Sequence, residues 1–174
     1  FINILPLSAT QRFLPRFKSE DTLRKLHCMV PWAQFCLSHI FKAAMDVEGT
    51  GYIPRPSRGY MYVSNHQSYL DILVLIAVLE TVAFLAKDSV QDIPLLGRAA
   101  YAGGTIFVDR KSREDRQRAL DETVRMCKES TAVVVFPEGT VSDNGELRDK
   151  VYLSSLVRAY EAGLILVPIG IHGS

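Results

Sequence analysis

From Arg58 onward the chain alternates short apolar runs with segments of helical period, and this alternation restricts the fold more than any other feature of the sequence. Residues 59–64, 81–86, 105–108, 131–136 and 164–171 read as strands. Several are apolar without a polar alternation, as in a sheet covered on both faces. Between them, residues 69–80, a short segment near 95–101, and residues 114–129 and 150–162 carry helical spacing, with Gly163 placed as a helix stop. Such an order predicts an α/β domain built on a mostly parallel sheet flanked by helices. In an open sheet of this kind ligands sit outside the carboxyl ends of the strands. The first four strands end at Asn65 and His66, at Lys87, at Asp109 and Arg110, and at Pro137, Glu138 and Gly139. Parallel strands would therefore gather His66, Lys87, Arg110 and Glu138 on one rim.

Ahead of this body, Gly, Pro and Ser cluster over residues 49–58 and mark a linker. Within residues 21–45, apolar side chains recur at Leu23, Leu26, Val30, Ala33, Leu37, Ile40, Phe41 and Ala44, a helical spacing interrupted near Pro31. One kinked amphipathic helix or two short ones are expected. Trp32, Phe35 and Phe41, with Arg24, Lys25 and Lys42, are the residue types that interfacial helices use, and packing on the body would use the same apolar face equally well. The expected division is a helical membrane-interface segment over residues 1–46 and a catalytic domain over residues 47–174. Because the sequence opens on Phe1 and its last strand-like run stops near Ser174, it reads as part of a longer chain.

Composition excludes several classes. At 174 residues and 48% apolar content, the chain can bury the core of one domain and is not disordered over most of its length. Twenty basic against nineteen acidic residues leave a net charge of +1, which gives no field that would concentrate nucleic acid. The longest apolar run, residues 72–79 between Asp71 and Glu80, falls short of the roughly 20 residues a membrane-spanning helix needs. Cys28, Cys36 and Cys127 form no CxxC pair and are odd in number, which suits a reducing compartment better than a disulfide framework or a zinc cluster. Cys127 lies inside a helical pattern and reads as a core thiol. Neither GxSxG, GxxxxGK, GxGxxG nor HExxH occurs, so serine hydrolases, nucleotide hydrolases, dehydrogenases and zinc proteases lose their usual support. No metal ligand set is expected.

The polar residues at the strand ends carry the chemistry. His66 and Asp71 stand five apart in Asn65-His66-Gln67-Ser68-Tyr69-Leu70-Asp71. On an ideal helix such a pair is about 140° apart, so the two side chains meet only if His66 sits in the turn before the helix. Ser68 is a plausible N-cap, and Asp71 then completes a capping-box spacing. Asp71 can thus cap a helix, or hold one imidazole nitrogen of His66 and leave the other free to take a proton. Phe136-Pro137-Glu138-Gly139-Thr140 places a carboxylate directly after a buried run, which points either to a ligand group or to a strand-ending turn. Residues 103–110 bring the Arg110 guanidinium to the rim, suited to forked recognition of phosphate or to a surface ion pair. The charge-rich run 111–118 reads as a solvated helix start.

The segments 65–71, 104–110, 136–140 and Val167-Pro168-Ile169 together resemble the four ordered blocks of the glycerolipid acyltransferase family, whose best-known members are the 1-acylglycerol-3-phosphate acyltransferases. The likeness covers roughly residues 47–174, and Lys87 and residues 94–97 fall where the family has a Lys and a Pro-x-x-Gly. The resemblance implies a glycerol-3-phosphate acyltransferase-like fold and transfer of a fatty acyl group from acyl-CoA or acyl-carrier protein to the free hydroxyl of a lysolipid. It implies no cofactor. It implies His66 and Asp71 as a catalytic dyad, with Arg110, Glu138, Gly139, Thr140 and Lys87 on the substrate. Backbone N–H groups at Gly139 or Gln67 become candidates for the oxyanion. It further implies a membrane-bound or membrane-surface enzyme whose active site faces the cytoplasm. One departure concerns the acceptor. The family continues its third block with Arg then Ser, and this chain has Val141 then Ser142. With that second cation replaced, 1-acylglycerol-3-phosphate remains the leading acceptor beside a less anionic one such as a lyso-aminolipid. A thioesterase or lysolipase using the same dyad on water, and a non-catalytic lipid-binding member, are the other readings.

Overall fold

The computed structural model describes residues 29–54, 58–80, 82–94, 96–129, 131–142 and 151–174. Its centre is a five-stranded sheet formed by β1 (Tyr60–Ser64), β2 (Val82–Lys87), β3 (Ile106–Val108), β4 (Ala132–Val135) and β5 (Ile165–Ile169). The strands lie in the order β3-β2-β4-β1-β5, and every neighbouring pair is parallel. Strands predicted from apolar runs thus appear within one or two residues of their expected ends. The helices are α1 (residues 29–35, continuing into a π-helical turn at Cys36–Ile40), α2 (Leu70–Leu79), α3 (Leu96–Ala102), α4 (Arg113–Glu129) and α5 (Ser154–Glu161).

Alternate strand residues serve opposite faces of the sheet. Met61, Ala83, Val133 and Val135 pack with Ala119 and Cys127 of α4 and Ala159 of α5. Tyr62, Phe84, Ala132 and Val134 pack with Leu75, Ile76 and Leu79 of α2 and Ala33 of α1. β4 is buried along its whole length, as its unbroken run of Ala and Val requires. Cys127 is fully buried, and burial pushes its thiol up to about 11, as befits a core group.

Two helix limits differ from expectation. α5 begins at Ser154, not at residue 150, because the Tyr152 backbone N–H is bonded to the Pro137 carbonyl at 2.8 Å and draws residues 151–153 onto the turn after β4. The front helix ends at Ile40 rather than Met45, with its irregularity in the π-turn; it is regular over residues 29–35, through Pro31. The portion of the front segment up to residue 28 lies outside the described residues. Among the described residues no helix is long and apolar enough to cross a membrane.

Connectivity fixes where a site can form. β1 and β4 are neighbours, yet β1 leads through α2 on one face towards β2, while β4 leads through α5 on the other face to β5. The chain then leaves the two strand ends for opposite faces, the topology that in open α/β sheets makes a ligand crevice at the carboxyl ends.

Candidate active site

Both loops at this crevice carry the polar residues singled out in the sequence. After β1 the chain stays extended through Asn65, whose side-chain amide donates to the Ile171 carbonyl and accepts from the Ile171 N–H, both at 2.8 Å. This pair ties the end of β1 to the segment after β5. Asn65 suits the task because its amide presents a donor and an acceptor side by side. Its position beside His66 was the only signal of this in the sequence.

His66 follows, four residues ahead of the start of α2, so the spacing that an unbroken helix would forbid is accommodated by the turn. Its Nδ1 lies 2.9 Å from Asp71 Oδ2, with the imidazole 11% exposed and the Asp71 side chain fully buried. The same carboxylate oxygen accepts the backbone N–H groups of Gln67 at 2.7 Å and Ser68 at 3.0 Å. Asp71 therefore serves helix start and imidazole together. The capping box forms by half: the carboxylate reaches back to Ser68, but the Ser68 hydroxyl takes the N–H of Leu70 at 3.1 Å. Burial by itself would raise the Asp71 carboxyl. Hydrogen bonds from His66, Ser68 and Gln67 outweigh it and hold the group below its ordinary value. An ionised carboxylate only accepts, so Nδ1 carries the proton and Nε2 of the neutral ring is left as a base.

The loop after β4 closes on the same histidine. The Phe136 ring stacks on the imidazole with centroids 4.0 Å apart and planes at 17°. Glu138, 5% exposed, accepts the His66 backbone N–H on Oε1 at 2.8 Å, and the Ser142 N–H donates to the His66 carbonyl at 2.8 Å. Glu138 thus sits beneath the histidine backbone. The contributions of Phe136 and Ser142 were not singled out in the sequence, since nothing local reports a contact so far along the chain.

Gly139 has φ +72°, and a Cβ there would stand 3.0 Å from Arg110 Nη1 and 3.2 Å from the Tyr152 ring. The turn needs glycine for both conformation and space. Arg110 Nη1 donates to the Gly139 carbonyl, which brings the exposed guanidinium from the end of β3 against the third block. Its own loop is held by the Asp109 N–H on Asp115 and by Arg118 on the Phe107 carbonyl. Lys87 is exposed at the end of β2, opposite Val108, and Thr140 is exposed beside Gly139. The two backbone donors considered for the oxyanion are already committed, Gln67 to Asp71 and Gly139 to the Phe136 carbonyl at 3.0 Å. No group of three or more metal-ligating side chains occurs among the described residues.

A cavity of about 630 Å³ opens between α2, residues 43–53 and residues 167–174. Leu70, Val74 and Val78, one stripe of α2, form an apolar wall that begins next to Asp71.

The fold is that of an α/β protein with a parallel sheet, and at its strand ends stands a histidine–carboxylate pair whose imidazole Nε2 has no hydrogen-bond partner among the described residues. Residues 44–172 match the family model described as Acyltransferase, and the chain belongs to that family. The chloroplast 1-acyl-sn-glycerol-3-phosphate acyltransferase of Arabidopsis thaliana is 29% identical over 153 residues, which cover 87% of this chain and 42% of that protein. The human 1-acyl-sn-glycerol-3-phosphate acyltransferase alpha is 34% identical over 113 residues, covering 64% and 40%. A lyso-ornithine lipid O-acyltransferase of Rhizobium meliloti is 36% identical over 92 residues, covering 53% and 31%. The crystal structure of the 1-acyl-sn-glycerophosphate acyltransferase PlsC of Thermotoga maritima matches with a TM-score of 0.67 and 27% identity, over 93% of this chain and 64% of that one. The chain spans less than half the length of these curated relatives.

Proposed function

We propose that the protein transfers a fatty acyl group from a thioester donor, acyl-CoA or acyl-carrier protein, to the free hydroxyl of 1-acylglycerol-3-phosphate, giving phosphatidic acid. The observation that carries this reading is the 2.9 Å His66–Asp71 pair after β1 in a chain of this family. His66 Nε2 takes the proton of the acceptor hydroxyl as its oxygen attacks the thioester carbonyl. The tetrahedral species collapses by breaking the C–S bond, and the departing thiolate recovers that proton from Nε2. General-base assistance of this kind is worth about 10²- to 10⁴-fold in rate. Thr140, whose N–H and hydroxyl have no hydrogen-bond partner among the described residues, and the remaining donors of Arg110 serve the oxyanion and head group in place of Gln67 and Gly139. The apolar wall of α2 takes an acyl chain. In this reading Trp32, Phe35 and Ile40, exposed on α1, and Phe41 just after it meet a membrane surface, with the site on its cytoplasmic side.

A second reading, a less anionic acceptor, is favoured by Val141 standing where the family has Arg and by the similarity to a lyso-ornithine lipid acyltransferase. Mass spectrometry of the lipids formed from labelled donor decides between them. Labelled phosphatidic acid from lysophosphatidate is the expected product; labelled lyso-ornithine lipid product alone would establish the second reading, and free fatty acid alone would establish a hydrolase. V141R sharpens the result, because it shifts preference towards lysophosphatidate only if residue 141 faces the head group.

A further inference from the structure

We propose that Phe136 and Glu138 are positioning residues that act through His66, rather than parts of the surface that binds the acceptor. The inference rests on the reading of His66 as the general base. Asp71 fixes one edge of the imidazole, but a single hydrogen bond leaves the ring free to swing about the Nδ1–Oδ2 axis. The face of Phe136, 4.0 Å away and within 17° of parallel, removes that freedom. Phe136 is itself backed by Phe84 of β2, with centroids 6.3 Å apart and planes at 11°, and Phe84 is buried in the core. The imidazole plane is thereby referred through two rings to the sheet.

The backbone of His66 is held from the same side. Its N–H goes to Glu138 Oε1 and its carbonyl receives the Ser142 N–H, each at 2.8 Å, so both of its main-chain polar groups are satisfied by the segment after β4. A carboxylate 5% exposed, with one oxygen committed to this N–H, is poorly placed to meet a lipid head group arriving from solvent. Asp71 thus grips the base from α2, and the third block grips it from β4. Because reacting atoms must be aligned closely, loosening either grip costs rate while leaving acceptor affinity in place.

The test compares F136L, which keeps apolar bulk and loses the flat face, with F136Y, which keeps the face, in the whole protein with lysophosphatidate and acyl-CoA. F136L is expected to lower kcat about tenfold with acceptor KM changed less than about twofold, and F136Y to return kcat to within about threefold of wild type. E138A should show the same split between kcat and KM. In an H66A background, F136L should cost no further activity, since its effect passes through the missing imidazole. A rise in KM at constant kcat, an unchanged kcat in F136L, equal losses in F136L and F136Y, or a full tenfold loss on top of H66A would each overturn the proposal. Wild-type turnover in H66A alone would instead remove the general-base reading on which it stands, so the two failures are told apart.

Discussion

The carboxyl ends of β1 and β4 are interlocked, whereas those of β2 and β3 are open. At the first pair, His66 is bonded through its ring, N–H and carbonyl, and Asp71 and Glu138 are buried. At the second, Lys87 is exposed with no ion-pair partner among the described residues, and the exposed Arg110 guanidinium reaches the interlocked part through a hydrogen bond to the Gly139 carbonyl. Under the proposed function, the contrast separates two tasks. Proton transfer demands alignment within a fraction of an ångström, which requires a fixed base. Attraction of an anionic head group falls off slowly with distance and tolerates mobile cations on a solvated edge. A cation at the open end can therefore be replaced without disturbing the His66–Asp71 pair.

Substitutions at the interlocked end should act on kcat and those at the open end on KM. The largest effect is expected for H66A: a fall in kcat of about a thousandfold, with only about 1 to 2 kcal/mol of stability lost from one hydrogen bond and one ring contact. Turnover and thermal unfolding of the purified variant measure both. D71N comes next, with kcat lowered about a hundredfold and about 1 to 2 kcal/mol lost as the charged acceptor of Gln67 and Ser68 is removed. Its stability cost should depend on pH. A carboxyl held below its unfolded value contributes stability above that value, near 3.8, and loses it as pH falls through the lower folded value. Denaturant unfolding should accordingly show wild type and D71N converging in acid and separating above that value.

At the open end, R110A should raise acceptor KM about tenfold and change kcat less than about threefold. A kcat loss at saturating acceptor with constant KM would move Arg110 to the interlocked set. K87A is the smallest effect, about two- to threefold in KM, and raised salt should erase it because the side chain is solvated.

The fold was largely legible because strand formation here follows from composition. Residues 132–135 are Ala-Val-Val-Val, and a run of that kind has no stable place except a strand covered on both faces. The rim was legible for the same reason: parallel strands bring their carboxyl ends together whatever their order. Strand order itself left no local trace. The dual part played by Asp71 could be posed but not decided from spacing, since it depends on where the helix starts. Glu138 was the residue whose surroundings were least legible. A carboxylate after a buried run reads as a ligand group, and only the approach of His66 from 72 positions away shows its backbone partner. The late start of α5 has the same origin, a long-range bond from Tyr152 to Pro137 that local helical spacing does not report.

The central claim is that Asp71 fixes the protonated Nδ1 of His66 and leaves Nε2 as the base. ¹⁵N spectroscopy of histidine-labelled protein, with H66A identifying the resonances that disappear, reads this tautomer directly. The account predicts that the neutral ring of His66 has a pyrrole-type Nδ1 that carries the proton and a pyridine-type Nε2 that does not. A proton on Nε2 of the neutral ring would contradict it.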